Sequence, residues 1–257
     1  MLKWNDFSRS VAALTLVAGL AAAPQTVLGE DVGPAFDAKQ NEAIEALVRQ
    51  YLLDHPEVVV EALQLYEQRQ QAAEAERQKT VILALADQLN ANPEDPVIGN
   101  PAGDVTLVEF FDYRCPYCKR MTETLAEMIN EDPDLRVVMK EFPILSRESV
   151  QAARAALAAQ SQGKYEAFHF ALMENGGGFS EDEILAVADL VGLDTKRLQD
   201  EMQDPALEEV LRNNHALAEK IGITGTPAFV IGDRMIPGAI SLDELRARIA
   251  EARAKAS

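Results

Sequence analysis

The sequence predicts an α/β fold in which a helical preface, residues 38–90, precedes a mixed domain running from Val97 to the C-terminus. Three observations predict it. Val105–Phe111 is an apolar, β-branched and aromatic run that hands over to Met121, Leu125, Met128 and Ile129, spaced as one face of a helix. Everything from Glu148 to about Gly222 then reads as helix before strand-like sequence returns at Ala228–Ile231. Ahead of the first strand, apolar residues recur at helical spacing and are broken at His55-Pro56.

At the N-terminus, Lys3 and Arg9 precede an apolar run from Val11 to Ala23, followed by small residues. That pattern is a secretory signal, residues 1–29, because the run is shorter than the ~20 residues a membrane-spanning helix needs. Pro24 disfavours cleavage after Ala23, so Val27-Leu28-Gly29 before Glu30 is the expected site. An uncleaved anchor is the competing reading. No later segment is long enough to span a bilayer, so a soluble, exported mature protein is expected, in a compartment where disulfides persist.

Residues 30–96 form the expected stalk. Ile44, Leu47, Val48, Tyr51 and Leu52 make one stripe, which Val59, Val60, Leu63 and Tyr66 resume. A charged, Gln- and Ala-rich stretch follows from Glu67 to Lys79, and Val81, Ile82, Leu85 and Leu89 form another face before Asn92-Pro93-Glu94-Asp95-Pro96. A helix with so polar a surface must pack against something. Its own catalytic domain and further copies of the stalk both remain open.

Residues 97–257 form the second unit. Strands are expected at Val97-Ile98, Val105–Phe111, Leu135–Phe142, Ala228–Ile231 and Arg234–Ile236, with Gly232-Asp233 as a tight hairpin turn. Ser180 with Glu183 makes a capping box inside the helical stretch at about 148–222, and Ser241 caps a final helix to about Ala252. The formal net charge is −18 and acidic residues are spread along the chain. No basic patch with interleaved aromatics is present, which argues against nucleic acid and against an anionic membrane surface. A solvated acidic exterior that aids solubility is the plain reading.

The chemistry concentrates in Phe110-Phe111-Asp112-Tyr113-Arg114-Cys115-Pro116-Tyr117-Cys118-Lys119-Arg120, which holds the only two cysteines of the 257 residues. Cys115 falls at a helix N-terminus, where unpaired N–H groups and the positive end of the macrodipole favour a thiolate. Pro116 suits the first helical turn. A structural disulfide across so short a loop would remove little entropy from the unfolded chain. A zinc site would have to draw on His55, His169 and His215, and none of them neighbours a second cysteine. Two unrelated thiols are the remaining bland reading. The junction favours a redox dithiol.

With Glu109–Cys118, the downstream Gly225-Thr226-Pro227, Lys140-Glu141-Phe142-Pro143-Ile144-Leu145 and the helical preface, the chain resembles thioredoxin-fold disulfide oxidoreductases of the DsbA type. Over about residues 38–254 it is most similar to the suppressor-of-copper-sensitivity protein C group. It departs at the dipeptide between the cysteines, Pro116-Tyr117, where that group often has Gly-Tyr and DsbA has Pro-His. This dipeptide tunes redox potential in the family. The resemblance implies a thioredoxin fold with a helical domain inserted at about 148–222, and trimerisation through residues 38–90.

Cys115, nearer the helix end and expected to be the more exposed, is the candidate attacking thiolate, and Cys118 the resolving thiol of a Cys115–Cys118 redox disulfide. Glu109 matches the family's buried acid and would relay a proton to Cys118; an outward-facing strand residue is the alternative. Thr226-Pro227 matches the family's cis-proline loop, though alone it would be only a turn. His169 and His215 are expected in packing or on the surface, and Tyr113 and Phe111 in a peptide groove or the core. The expected function is a periplasmic thiol–disulfide oxidoreductase needing neither metal nor cofactor. It would act on exported proteins and exchange electrons with a membrane redox partner, as an isomerase if oligomeric. Its rivals are a monomeric dithiol oxidase and a non-catalytic copper-binding or chaperone module.

Overall fold

A computed structural model describes residues 36–176 and 178–256, so the expected signal segment lies outside the described residues. The chain divides into two units between Ala62 and Leu63. In the first, helix α1 (Ala38–Asp54) opens with a capping box between Asp37 and Gln40 and ends ahead of Pro56. A residue before proline resists the helical region, which fixes that end. None of its residues is buried: Leu47 is 70% exposed and Tyr51 53%. Helix α2 (Glu57–Ala84) carries the chain into the second unit.

The second unit contains the remainder of α2, then α3 (Ala86–Asn90), β1 (Val97–Gly99), β2 (Val105–Phe111), α4 (Pro116–Glu131) and β3 (Leu135–Glu141). Helices α5 (Arg147–Ala158), α6 (Tyr165–Glu174), α7 (Glu181–Leu190), α8 (Thr195–Glu201) and α9 (Pro205–Ile221) follow, then β4 (Ala228–Ile231), β5 (Arg234–Pro237) and α10 (Leu242–Ala256). The sheet order is β1-β3-β2-β4-β5, with β2 and β3 parallel and the other pairs antiparallel. Helix α4 is thus the crossover of a parallel strand pair, and the five later helices sit between β3 and β4. This is the thioredoxin fold with an inserted helical domain. Gly232, at φ 60°, makes the β4–β5 turn that L side chains resist.

Alternation along the strands builds two cores. Leu107, Phe111, Val137, Met139, Phe229 and Ile231 face α4, α10 and the inserted helices. On the opposite face, Val108, Phe110, Val138, Ala228 and Val230 pack against Leu217 and Ile221 of α9 and against Ile82 and Leu89. Ile82 and Leu89 are 2% and 0% exposed. The end of α2 and α3 therefore cover the sheet, and the stalk drawn at residues 30–96 is too long by that packing. Gln78 adds a hydrogen bond to the Ile221 carbonyl at 3.2 Å, and Lys79 pairs with Asp233 at 3.1 Å. The final helix runs to Ala256 rather than to about 252, and β3 stops at Glu141, one residue short of Phe142. No helix among the described residues is long and apolar enough to cross a membrane.

Candidate active site

The parallel β2–α4 junction delivers both cysteines to one end of the sheet. Cys115 is the N-cap of α4 and Pro116 its first residue, where a missing N–H leaves no bond unmade. The turn between is built on Asp112, which the sequence reading passed over. Its buried carboxylate accepts from the Arg114 N–H at 2.7 Å, the Ser149 hydroxyl at 2.7 Å, and the N–H groups of Ile144 and Leu145 at 2.9 and 3.0 Å. One side chain thereby fixes the cysteine loop to the start of α5. Only long-range contacts give it this task, so spacing alone could not reveal it.

The two thiols are free and inequivalent. Cys115 is 4% exposed and Cys118 1%, so Cys115 is the more exposed of the two, though both are buried. The Thr226–Pro227 loop lies against it, with the Cys115 Sγ donating to the Thr226 carbonyl at 3.2 Å across a cis peptide bond. Hydrogen bonds decide its acidity. The Cys118 thiol, the Thr226 side chain and the N–H groups of Cys118 and Tyr117 outweigh burial and bring the Cys115 thiol down to about 5. Cys118, one turn in, is pushed far up by burial first and by its bond to Cys115 second. The pair can therefore hold one thiolate, on Cys115.

Glu109 is 3% exposed, with its side chain on the α4 face of β2, so it does not face outward. Burial, then the charge on Cys115, raises its carboxyl to about 8, and its side chain makes no hydrogen bond among the described residues. A neutral acid is thus held beside a thiol that is costly to ionise. Both Glu109 and Cys115 act electrostatically on Cys118.

Phe111 and Tyr113 are core residues rather than groove lining, at 0% and 1% exposure. The Tyr113 hydroxyl donates to Glu141 Oε1 at 3.1 Å and meets His169 Nδ1 at 3.1 Å, while the Tyr165 hydroxyl donates to the same oxygen at 2.8 Å. Glu141 Oε2 has no partner among the described residues. Burial pushes the Glu141 carboxyl well up and the His169 imidazole down to about 3. The cluster ties the residue two places before Cys115 to α6. His215 packs against Phe142 with ring centroids 5.1 Å apart. Tyr117, by contrast, is 55% exposed, under the Arg120 guanidinium at 4.3 Å. Among the described residues no three His, Cys, Asp or Glu side chains are grouped to hold a metal ion.

Residues 106–250 match the DSBA-like thioredoxin domain, and residues 40–73 the copper resistance protein ScsC N-terminal domain. A thioredoxin-like oxidoreductase from Silicibacter pomeroyi DSS-3 is 48% identical, with a TM-score of 0.64 over 65% of this chain and 97% of that one. A linker-deletion mutant of ScsC from Proteus mirabilis is 31% identical, with a TM-score of 0.66 over 87% of this chain and 99% of that one. Among curated relatives, the Na(+)/H(+) antiporter NhaA 1 of Salinispora arenicola is 27% identical over 160 residues, which are 62% of this chain and 24% of that protein. The chain thus spans about a quarter of that relative's length.

Proposed function

The chain belongs to the DSBA-like thioredoxin domain family, and from that premise we propose that it is a periplasmic thiol–disulfide oxidoreductase acting on exported proteins. The observation that carries this reading is the opposed acidity of two adjacent thiols, Cys115 near 5 and Cys118 far above the ordinary range.

In the oxidising direction a substrate thiolate attacks the Cys115 sulfur of the Cys115–Cys118 disulfide. The S–S bond breaks, and Cys118 leaves with the electron pair and takes a proton. Glu109, neutral below about 8, is the donor within the same apolar pocket. A second substrate thiolate then attacks its own chain's sulfur in the mixed disulfide and expels Cys115 as the thiolate that the helix end stabilises. Two electrons have passed to the protein, and the substrate has gained a disulfide. A membrane redox partner bearing a disulfide returns the protein to its oxidised form. In the reducing direction each step reverses, and Glu109 accepts the Cys118 proton. Thr226 and Pro227 present a backbone edge beside the sulfur for an extended substrate chain.

The test is alkylation of the reduced protein across pH. Cys115 should react with a midpoint near 5, with Cys118 unreactive through neutrality. Cys118→Ala should trap mixed disulfides with exported proteins, and Cys115→Ala should not. Earlier reaction at Cys118 would reverse the roles.

The mode of action follows from the apolar stripe of α1, where Leu47, Val48 and Tyr51 are all more than half exposed in one chain. A stripe of that kind is covered by copies of itself. We infer a homo-oligomer, a trimer, joined through the preface, and hence an isomerase rather than a lone oxidase.

A further inference from the structure

We propose that the rim of the dithiol selects substrate cysteines that have an acidic residue beside them, with Arg120 and Arg114 as the recognising groups. The proposal rests on the thiol–disulfide reading and names the substrate class of that site.

Of the chain's residues 42 are Asp or Glu and 24 Lys or Arg, so an acidic substrate meets repulsion from most of the surface. Around Cys115 the sign is reversed: Arg114, Lys119 and Arg120 lie within five positions of it and no acid lies between Asp112 and Glu123. These cations do not explain the acidity of Cys115, whose depression comes from hydrogen bonds to Cys118, Thr226 and the α4 backbone. They do not serve the fold either, except Lys119, whose Nζ is bound to the Asn175 carbonyl and lies 5.5 Å from the Phe179 ring. Arg120 makes no ion pair among the described residues; it is exposed, with its guanidinium carbon 4.3 Å from the centroid of the exposed Tyr117 ring. Among the described residues the Arg114 side chain has one ion-pair partner, Glu148, at 3.3 Å, with both side chains 46% exposed. A pair so solvated is worth little and is readily exchanged for a substrate carboxylate.

The same rim is apolar where a substrate backbone would lie: Leu145, 53% exposed, is carried beside Arg114 by their shared acceptor Asp112. Further along α4, the groove below Arg120 also contains Glu123 and Glu174. The complementarity is therefore confined to positions next to the reacting cysteine, and a long acidic run would gain nothing more. An acidic neighbour accepts a charge-assisted bond from Arg120 or Arg114 while its cysteine attacks Cys115. The step moves two electrons from the peptide dithiol to the Cys115–Cys118 disulfide and closes a peptide disulfide.

The experiment uses the oxidised full-length mature protein and two dithiol peptides that differ only in having Asp or Lys beside each cysteine. Rates are normalised to each peptide's reaction with a neutral small-molecule disulfide, which removes the effect of flanking charge on thiol acidity. Oxidation of dithiothreitol by the same protein reports the exchange chemistry itself. The normalised Asp peptide should react about fivefold faster at low salt, and the gap should close at 1 M salt. Arg120→Glu should invert the preference, and Arg120→Gln should shrink it while keeping the side chain's size. Equal normalised rates, a preference that survives Arg120→Glu, or one indifferent to salt overturns the proposal while dithiothreitol oxidation persists. If dithiothreitol is not oxidised, the oxidoreductase reading itself falls.

Discussion

At the scale of single residues, the active site rests on acids and thiols whose protons are displaced from their ordinary values. Glu109 is the clearest case, because its folded value near 8 lies above the ordinary 4.5. Between those values the unfolded chain has lost the proton and the native one keeps it, so stability falls as pH rises, by at most about 1.4 kcal/mol per unit. Glu109→Gln should remove that slope: in urea the variant should be the more stable protein at pH 7, with the gap closing toward pH 4.5. It should also slow resolution of mixed disulfides by Cys118 by about 10²-fold, the ordinary scale of general acid–base catalysis. A flat pH difference would place the carboxyl in water instead. Cys115 runs with the opposite sign, since its folded value is depressed from 9.0 to about 5. Its thiolate stabilises the reduced fold fully above the unfolded value, and that advantage is lost as pH falls through 5. The reduced protein should therefore outlast the oxidised one in denaturant at pH 8, with the difference gone by pH 4.5. The cysteines and Glu109 were legible because a two-thiol junction and a carboxylate in an apolar run are local patterns. Asp112 and Glu141 were not, because the partners of their side chains, apart from the neighbouring Arg114 N–H, lie 24 to 37 positions away in sequence.

At the scale of elements, the sheet's outer face is held by a buried charge as well as by apolar packing. Lys140 of β3 pairs opposite Phe110 in the ladder, and its ammonium binds the Gln88 carbonyl of α3 at 2.7 Å and the Asp95 carboxylate ahead of β1. The side chains are 1% and 0% exposed, and Asp95 Oδ1 has no partner among the described residues. Burial lowers the Lys140 ammonium and raises the Asp95 carboxyl, with mutual attraction offsetting only part of each. Such a pair orients α3 more than it stabilises it. Lys140→Met alone, which strands Asp95, should cost about 3–5 kcal/mol. The double change with Asp95→Leu should recover most of that loss, as a shift in the urea midpoint at constant slope. A double variant no more stable than Lys140→Met alone would show the ion pair to be a net source of stability. Strand alternation predicted β2 and β4 well, since their apolar runs are continuous. Lys140 and Glu141 read as the polar end of a strand, and only the fold shows that both are enclosed.

At the scale of the whole molecule, the length of the preface and the place where it becomes catalytic domain decide the mode of action. The apolar striping of residues 38–90 was legible, but the change of partner within it was not, because Ile82 and Leu89 meet residues such as Leu217 and Ala228 more than 100 positions later. Two truncations separate the roles. Removing everything before Leu63 leaves both cores intact, so the domain should fold and Cys115 should keep its low alkylation midpoint. Removing everything before Val97 strips Ile82 and Leu89 from the outer core. At about 2–5 kcal/mol for each large apolar side chain lost, that is comparable with the ~5–15 kcal/mol that holds a domain together. The longer truncation should therefore be molten or insoluble. The shorter one should be monomeric by light scattering while the full mature chain is oligomeric. Tethered active sites re-engage one misfolded substrate at high effective concentration, whereas a lone site delivers its disulfide and leaves. Refolding of a scrambled substrate should accordingly be lost in the Leu63 truncation, with simple dithiol oxidation retained or increased. If the full mature chain itself scatters as a monomer, the isomerase reading fails and the dithiol oxidase takes its place.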